Sequence, residues 1–434
     1  MKMGRRLGST LLISLLTISQ IFISTSRAAT PSFTSANLIL NYDIGDSNSY
    51  PGSGSTITDR SGSGNNGTTV NSPTYSSSNG GYLTFSSASS QFAYTGAINQ
   101  SGFNMSSAYS TFMWVKPTGN GILLDERGQS AGGTGWQDSV IEIVSGELRM
   151  GGWNGSEIWT AATTQPTANA WNYIGFVGSS NSYTMYVNGV SAGAFSRTTY
   201  PGTLYYSIGQ TDPTSMGNGG YGNFLFGALH VYKFALTTQQ ILDNYNATKA
   251  RFLTPTITSF TPTSGGPGTT VTLTGTNMYG ATVVNFNGVA ASSFNVVSDT
   301  QTAAVVPNGN ATGRITFISG GNTATSATDY TAYIGMATIS LSLQGGGSTA
   351  NKNKNLTINA TLNTSGTVTF YANGRPINRC KSIVTATTSA SCSWLPLTIS
   401  KTSLTAYVNP TTSAYTAALS SPFYVQVLKR IGPR

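Results

Sequence analysis

Short runs in which apolar and polar residues alternate, broken by clusters of Gly, Asn and Ser, recur from residue 36 almost to the end of the chain. Tyr82-Leu83-Thr84-Phe85, Thr111-Phe112-Met113-Trp114-Val115, Trp171-Asn172-Tyr173-Ile174-Gly175-Phe176 and Tyr183-Thr184-Met185-Tyr186-Val187 are clear cases. A period of two predicts strands with alternate side chains turned to a core. Asn188-Gly189 follows the last run and predicts a hairpin, because both residues tolerate positive φ. More than ten such strands between Ala36 and Tyr245 predict a two-sheet jelly roll. One helix is expected, from Thr237 to about Lys249, capped by Thr237 and with Ile241, Leu242 and Tyr245 as its apolar stripe.

At Pro255 the composition changes. Pro255 to Pro262, the Gly-rich Gly265 to Gly275 and the strand-turn run Val283 to Val289 predict a small Ig-like sandwich over 253–335. The Gly-rich loop lacks the Gly-Lys-Ser/Thr ending of a phosphate-binding loop. A third unit, 336–430, alternates through Thr338 to Leu343, Leu356 to Leu362 and Val368 to Tyr371, with a turn at Asn373-Gly374 and a last strand at Phe423 to Val427. Residues 431–434 read as a tail. The expected fold class is all-β: an N-terminal two-sheet jelly roll over 29–252 followed by two Ig-like β-sandwiches.

Only 8% of the 434 residues are charged, which excludes coiled coils and charge-driven disorder and argues against a helical cytosolic enzyme. The net charge of +9 is uneven: residues 1–28 carry +4, 29–252 carry −3, 253–335 carry −1 and 336–434 carry +9 with no acid. No basic helix, zinc-finger spacing or ribonucleoprotein motif accompanies the basic segments, so nucleic acid is not an expected partner.

Lys2, Arg5 and Arg6 precede an apolar stretch from Leu11 to Ile23, and Ser26-Arg27-Ala28 offers small residues around a cleavage point. That layout predicts a secretory signal peptide over 1–28, with an uncleaved anchor as the competing reading, and an exported or cell-surface chain. Cys380 and Cys392 are the only cysteines, on what read as neighbouring strands. In an oxidising compartment a disulfide is expected, the alternative being two buried thiols.

Tyr42-Asp43, Ser49 to Gly54 and Asp59 to Thr68 resemble the N-terminal pattern of the laminin-G-like, concanavalin A-type lectin/glucanase superfamily. Trp114-Val115-Lys116-Pro117, Tyr186 to Gly189, Gly227 to Tyr232 and the segment Leu236 to Phe252 are similar to its later strands and closing helix. Residues 255–333 resemble an IPT/TIG domain, and 337–430 a bacterial Ig-like repeat. The first resemblance implies binding of a glycan or a cell-surface protein, sometimes with a rim calcium, and less often glycoside hydrolysis.

The residues themselves narrow these options. His230, the only histidine, sits in an alternating strand and reads as structural. The glucanase pattern of three alternating carboxylates is absent: Glu142 and Glu147 are five apart, which on one continuous strand places them on opposite faces, and position 144 is Val. Asp125-Glu126 read as polar residues at a strand end. Calcium is the candidate cofactor at Asp43, Asp46 and Asp59, weighed against Asx-turns that need no ion, with Asp138 and Asp212 as further loop candidates. Trp136, Trp153 with Asn154, Trp159 and Tyr221 lie among Gly, Asn, Ser and Gln and are the candidate ligand platform, weighed against rings that merely cover loops. Gly152 to Gly155 is expected to be a turn presenting an indole. Trp114 and Trp171 are expected in the core. The leading expectation is a secreted, non-enzymatic adhesion protein with a lectin-like head on two spacers. A secreted polysaccharide hydrolase and a structural envelope component are the alternatives.

Overall fold

Alternation along the chain becomes three successive β-sandwiches in the computed structural model. It describes residues 31–429 apart from 99, 102, 104–105, 129–136, 154–155, 180, 197–202, 212–219, 334 and 412–414. The expected signal peptide and the tail at 431–434 lie outside the described residues.

The head consists of two antiparallel sheets face to face. The first runs in the order Val190–Ser196, Ser182–Val187, Asn172–Ser179, Tyr109–Pro117, Phe224–Tyr232, Tyr82–Phe85 and Thr74–Ser76, with Leu38–Asp43 also paired to Phe224–Tyr232. The second runs Glu157–Ala161, Glu147–Trp153, Gln137–Val144, Gly121–Arg127, Tyr205–Ile208, Phe92–Thr95, Gly67–Val70 and Thr56–Ile57. Asn188 and Gly189 take φ of 53° and 84° and make the expected tight hairpin. Between the sheets lie Tyr42, Phe85, Met113, Val115, Ile141, Met150, Phe176, Ile208 and Phe226, all essentially inaccessible. This is a large apolar interior, and each fully buried Leu, Ile, Phe or Met side chain contributes about 1.5–3 kcal/mol.

A second apolar layer covers the outer face of the first sheet. The helix Thr238–Thr248 starts at Thr237, whose hydroxyl accepts from Gln240 N while the Gln240 side chain accepts from Thr237 N, a capping box. Ile241 packs with Phe112, Trp114, Trp171, Tyr173, Tyr232 and Phe252. Trp114 stacks on Phe252 at 4.5 Å and donates its indole N–H to Thr248 at 2.8 Å. Both tryptophans expected in the core are therefore buried, under the helix rather than between the sheets. Asn244, a polar residue inside the helix stripe, is fully buried because Thr34 N donates to it and it donates to Tyr232.

The second sandwich pairs a four-stranded sheet (Thr256–Thr261, Thr270–Thr276, Gln301–Val305, Ser293–Ser298) with a five-stranded one built on Asn322–Ala332, Gly313–Ser319 and Ala281–Phe286. It meets the head through the turn Lys249–Arg251. Lys249, 2% exposed, forms an ion pair with Asp299 at 2.8 Å, and Asn322 donates to the Ala250 carbonyl at 3.3 Å. Gly320, at φ 54°, lies so close that a Cβ would meet the Ala250 oxygen at 2.0 Å.

The third sandwich sets Ile339–Leu343, Leu356–Leu362 and Ser389–Trp394 against a larger sheet built on Phe423–Leu428, Lys401–Pro410 and Gly366–Ala372. The disulfide Cys380–Cys392 is present. Only Cys392 lies on a strand; Cys380 sits in the loop after the short strand Arg375–Pro376, where its N–H is held by Ile377 O and its carbonyl by Phe370 N. That corrects the expectation of two neighbouring strands: left-handed Arg379, at φ 66°, bends the chain there.

Candidate functional site

The two outer faces of the head differ. The first sheet's is roofed by the helix, whereas the second sheet's alternate outward positions mix charged and aromatic side chains with Val, Ile and Gly. Along Gly121–Arg127, Leu124 and Glu126 point into the interior, while Asp125 and Arg127 stand opposite Ser207 and Tyr205 of the neighbouring strand. All three charged residues are buried, at 0%, 0% and 2% exposure for Asp125, Glu126 and Arg127. Asp125-Glu126 do lie at a strand end and on opposite faces, as expected, and both are buried.

The Glu126 carboxyl group lies in the sandwich interior. Tyr109 Oη donates to it at 2.8 Å and Tyr206 Oη at 2.7 Å; Tyr183 in turn contacts Tyr109, and Thr111 lies 2.6 Å from Tyr206 Oη. Burial first, and the Glu126 charge second, push the Tyr206 hydroxyl well above the ordinary tyrosine range. This network joins the two sheets through hydrogen bonds and faces away from solvent.

On the outer face, Arg127 reaches Gln210 Oε1 at 3.3 Å and has its Nε 3.8 Å from Asp125. Two strands away, Arg149 brings both Nε and Nη2 within 2.6 Å of Glu142 Oε1. Glu142 Oε2 is buried and has no hydrogen-bond partner among the described residues. The Arg149 guanidinium also covers the ring of Trp159, 4.2 Å from its centroid. Trp159 stands opposite Gly151, where a Cβ would meet the indole at 2.5 Å, so glycine lets the ring lie against the sheet. Ile122 and Val140 support the same ring.

Beside this group a pocket of about 300 Å³ is lined by Glu142, Ile122, Tyr221, Asn120, Asn223 and Ser87, among others. Asn223 is held by Ser87 N and Oγ, both at 3.0 Å. The mouth thus combines an aromatic ring and two amides, backed by the buried Glu142, a donor and acceptor set suited to hydroxyl-rich ligands.

Of the expected platform, Trp159 and Tyr221 fall on this face, although neither lies in a loop: Trp159 is in the edge strand Glu157–Ala161, and Tyr221 pairs with Gln210 in a two-residue ladder. Gly152 and Trp153 likewise belong to the strand Glu147–Trp153 instead of a turn. The side chains of Trp153 and Asp138, and all of Trp136, Asn154 and Asp212, lie outside the described residues. Glu142 and Glu147 are not on one strand, because Ser145 and Gly146, at φ 55° and 84°, turn the chain between them. Arg127 and Arg149 are the residues that sequence reasoning missed, and Asp125 and Glu142 are the ones it considered and set aside. The signal was there: Asp125-Glu126-Arg127 ends an apolar run in a chain with few charges.

Asp43, Asp46 and Asp59 are occupied differently. Asp59 accepts from Asn41 N, Ser61 N, Ser61 Oγ and Asn65 N. Asp46 accepts from Asn48 N and pairs with Arg60, contacts that hold its carboxyl below the usual range, the Asn48 amide most of all. Asp43 accepts from Gly45 N and pairs with Arg251. These contacts are those of Asx-turns, and no group of three carboxylate, His or Cys side chains converges on one point among the described residues. His230 is 5% exposed, against the ring of Phe33 at 4.9 Å, and burial, with Arg251 adding to it, lowers it to about 4.

Residues 77–242 match the family profile of the concanavalin A-like lectin/glucanases superfamily, and 255–332 match the IPT/TIG domain. The head is a concanavalin A-like domain. A TIG domain follows it. Among solved structures, domain 4 of AbnA, a GH43 extracellular arabinanase from Geobacillus stearothermophilus in complex with arabinotriose, is 17% identical with a TM-score of 0.35, over 48% of this chain and 98% of that one. A Trypanosoma rangeli sialidase is 15% identical with a TM-score of 0.37, over 50% of this chain and 34% of its own length. A botulinum neurotoxin serotype D/C binding domain is 11% identical with a TM-score of 0.39, over 87% and 86%. None of the three shares enough sequence or geometry with the chain to transfer a function. No curated protein matches it. Among the described residues no helix is long and apolar enough to cross a membrane.

Proposed function

We propose that the chain is an exported, non-enzymatic adhesion-type protein whose concanavalin A-like head binds a glycan on the outer face of its second sheet, with the TIG domain and the third sandwich as spacers. The observation that carries this reading is the group Trp159–Arg149–Glu142 beside the pocket holding Tyr221. A pyranose ring would pack against Tyr221 in the pocket, its hydroxyls exchanging hydrogen bonds with the Asn120 and Asn223 amides, while Trp159, Arg149 and Glu142 form the adjoining wall. Against catalysis stands the absence of an alternating carboxylate row: Val140 and Val144 flank Glu142 on its own face.

Glycoside hydrolysis is the second reading, and it has one specific observation in its favour. Asp125 and Glu142 are buried carboxylates on the same outer face of adjacent strands. A glycan array probed with the chain from Ala29 tests both readings. Binding of a defined glycan class that is abolished by Trp159→Ala and Glu142→Gln, with no release of reducing sugar, is the expected result. Turnover lost in Asp125→Asn would establish the hydrolase, and binding indifferent to Trp159 and Glu142 would remove the site.

A further inference from the structure

We propose that the end of the third sandwich farthest from its linker docks peripherally on an anionic lipid bilayer. The strand Ile339–Leu343 leaves the linker end, where Ile339 pairs with Leu362, and reaches the other end at Leu343, opposite Ile358. At that far end three segments meet: Asn353 N donates to Pro396 O at 2.9 Å, Lys352 N to Leu428 O at 2.9 Å, and Val427 N to Ser400 O at 3.0 Å.

What they display there is unusual for this molecule. Of twelve strongly exposed large apolar residues among the described residues, five (Leu395, Leu397, Ile399, Tyr424 and Leu428) belong to this end. Leu397 and Ile399 are 65% and 53% exposed within one short loop. Around them stand exposed Lys354, Lys401 and Lys429 and half-buried Lys352, with the Lys401 ammonium 4.5 Å from the Tyr424 ring. Residues 336–434 contain nine Lys and Arg and no Asp or Glu, so nothing acidic in this unit offsets the field.

The pairing of the two features selects the partner. A soluble polyanion would be attracted by the lysines but gains nothing from exposed leucine and isoleucine. A bilayer surface satisfies both: phosphate headgroups meet the ammonium groups while the aliphatic side chains enter the headgroup–acyl boundary.

The test is flotation of the chain from Ala29, which keeps all three sandwiches, with vesicles of phosphatidylcholine mixed with phosphatidylglycerol and with phosphatidylcholine alone. Binding to the anionic vesicles only is expected. Leu397→Ser combined with Ile399→Ser should weaken it by about tenfold, and each of Lys354→Gln and Lys401→Gln by about fivefold. Val384→Ser, at a still more exposed apolar position at the other end of the sandwich, should change nothing. Absence of binding to anionic vesicles overturns the proposal. So does binding that tracks the lysines but ignores Leu397 and Ile399 and is matched by dextran sulfate, which would make the tip a polyanion site. Unchanged melting temperatures of these surface variants keep the comparison valid.

Discussion

Arg149 links Glu142 to Trp159: the same guanidinium that lies 4.2 Å from the indole centroid is 2.6 Å from the carboxylate. Glu142 is fully buried and Arg149 about a quarter exposed, so the pair is only weakly screened. Replacing Arg149 by Met should destabilise the head by about 3 kcal/mol, because it leaves a buried anion unpaired. Adding Glu142→Gln should restore most of that loss. Chemical denaturation of the four members of the cycle checks it, and equal stability of Arg149→Met with and without Glu142→Gln would show that the ion pair is uncoupled.

Acid should weaken the head through His230. Its folded value of about 4 lies below the unfolded value of 6.5, so between these the unfolded chain binds a proton that the native one excludes. Stability is full above about pH 6.5 and falls by about 3 kcal/mol on acidification to pH 4. Asp43, which favours the charged ring, and Arg251, which opposes it, tune that value. His230→Phe should remove this part of the acid slope, as read from melting temperature against pH.

The bridge between Cys380 and Cys392, 12 positions apart, closes a loop beside the third sandwich's core. Changing both to Ser should cost about 3 kcal/mol, and reductant should lower that domain's transition alone. Mass spectrometry of the intact chain should find the two linked. An unshifted transition under reductant would remove their stabilising role.

Calcium is expected to do nothing to the first loops. Peptide N–H groups and arginines occupy Asp43, Asp46 and Asp59, so neither millimolar calcium nor a chelator should move the head's melting temperature. A reversible upward shift would call for a rearranged loop.

Strands, turns, the capped helix and the disulfide were legible in the sequence because each rests on local rules: alternation, Asn-Gly geometry, a capping Thr and cysteine parity. The candidate site was less legible. The small polar neighbours of Trp159 and Tyr221 point to loops, but they line an edge strand and a two-residue ladder, where Gly151 makes room for the indole. The spacing of Glu142 and Glu147 has meaning only on one continuous strand, and the turn at Ser145-Gly146 places them on two. The actual partner of Glu142, Arg149, lies across a hairpin, and Asp125 lies on a different strand again. Pairings of that kind depend on register, which no single run of residues contains.

Lys249, Ala250 and Arg251 belong by sequence to the head, yet the second sandwich covers them through Asp299, Gly320 and Asn322. Tension applied at the head therefore does not pass along a slack tether. It loads this docked turn sideways, so that the ion pair and the backbone contact must slip together before the two modules can hinge apart.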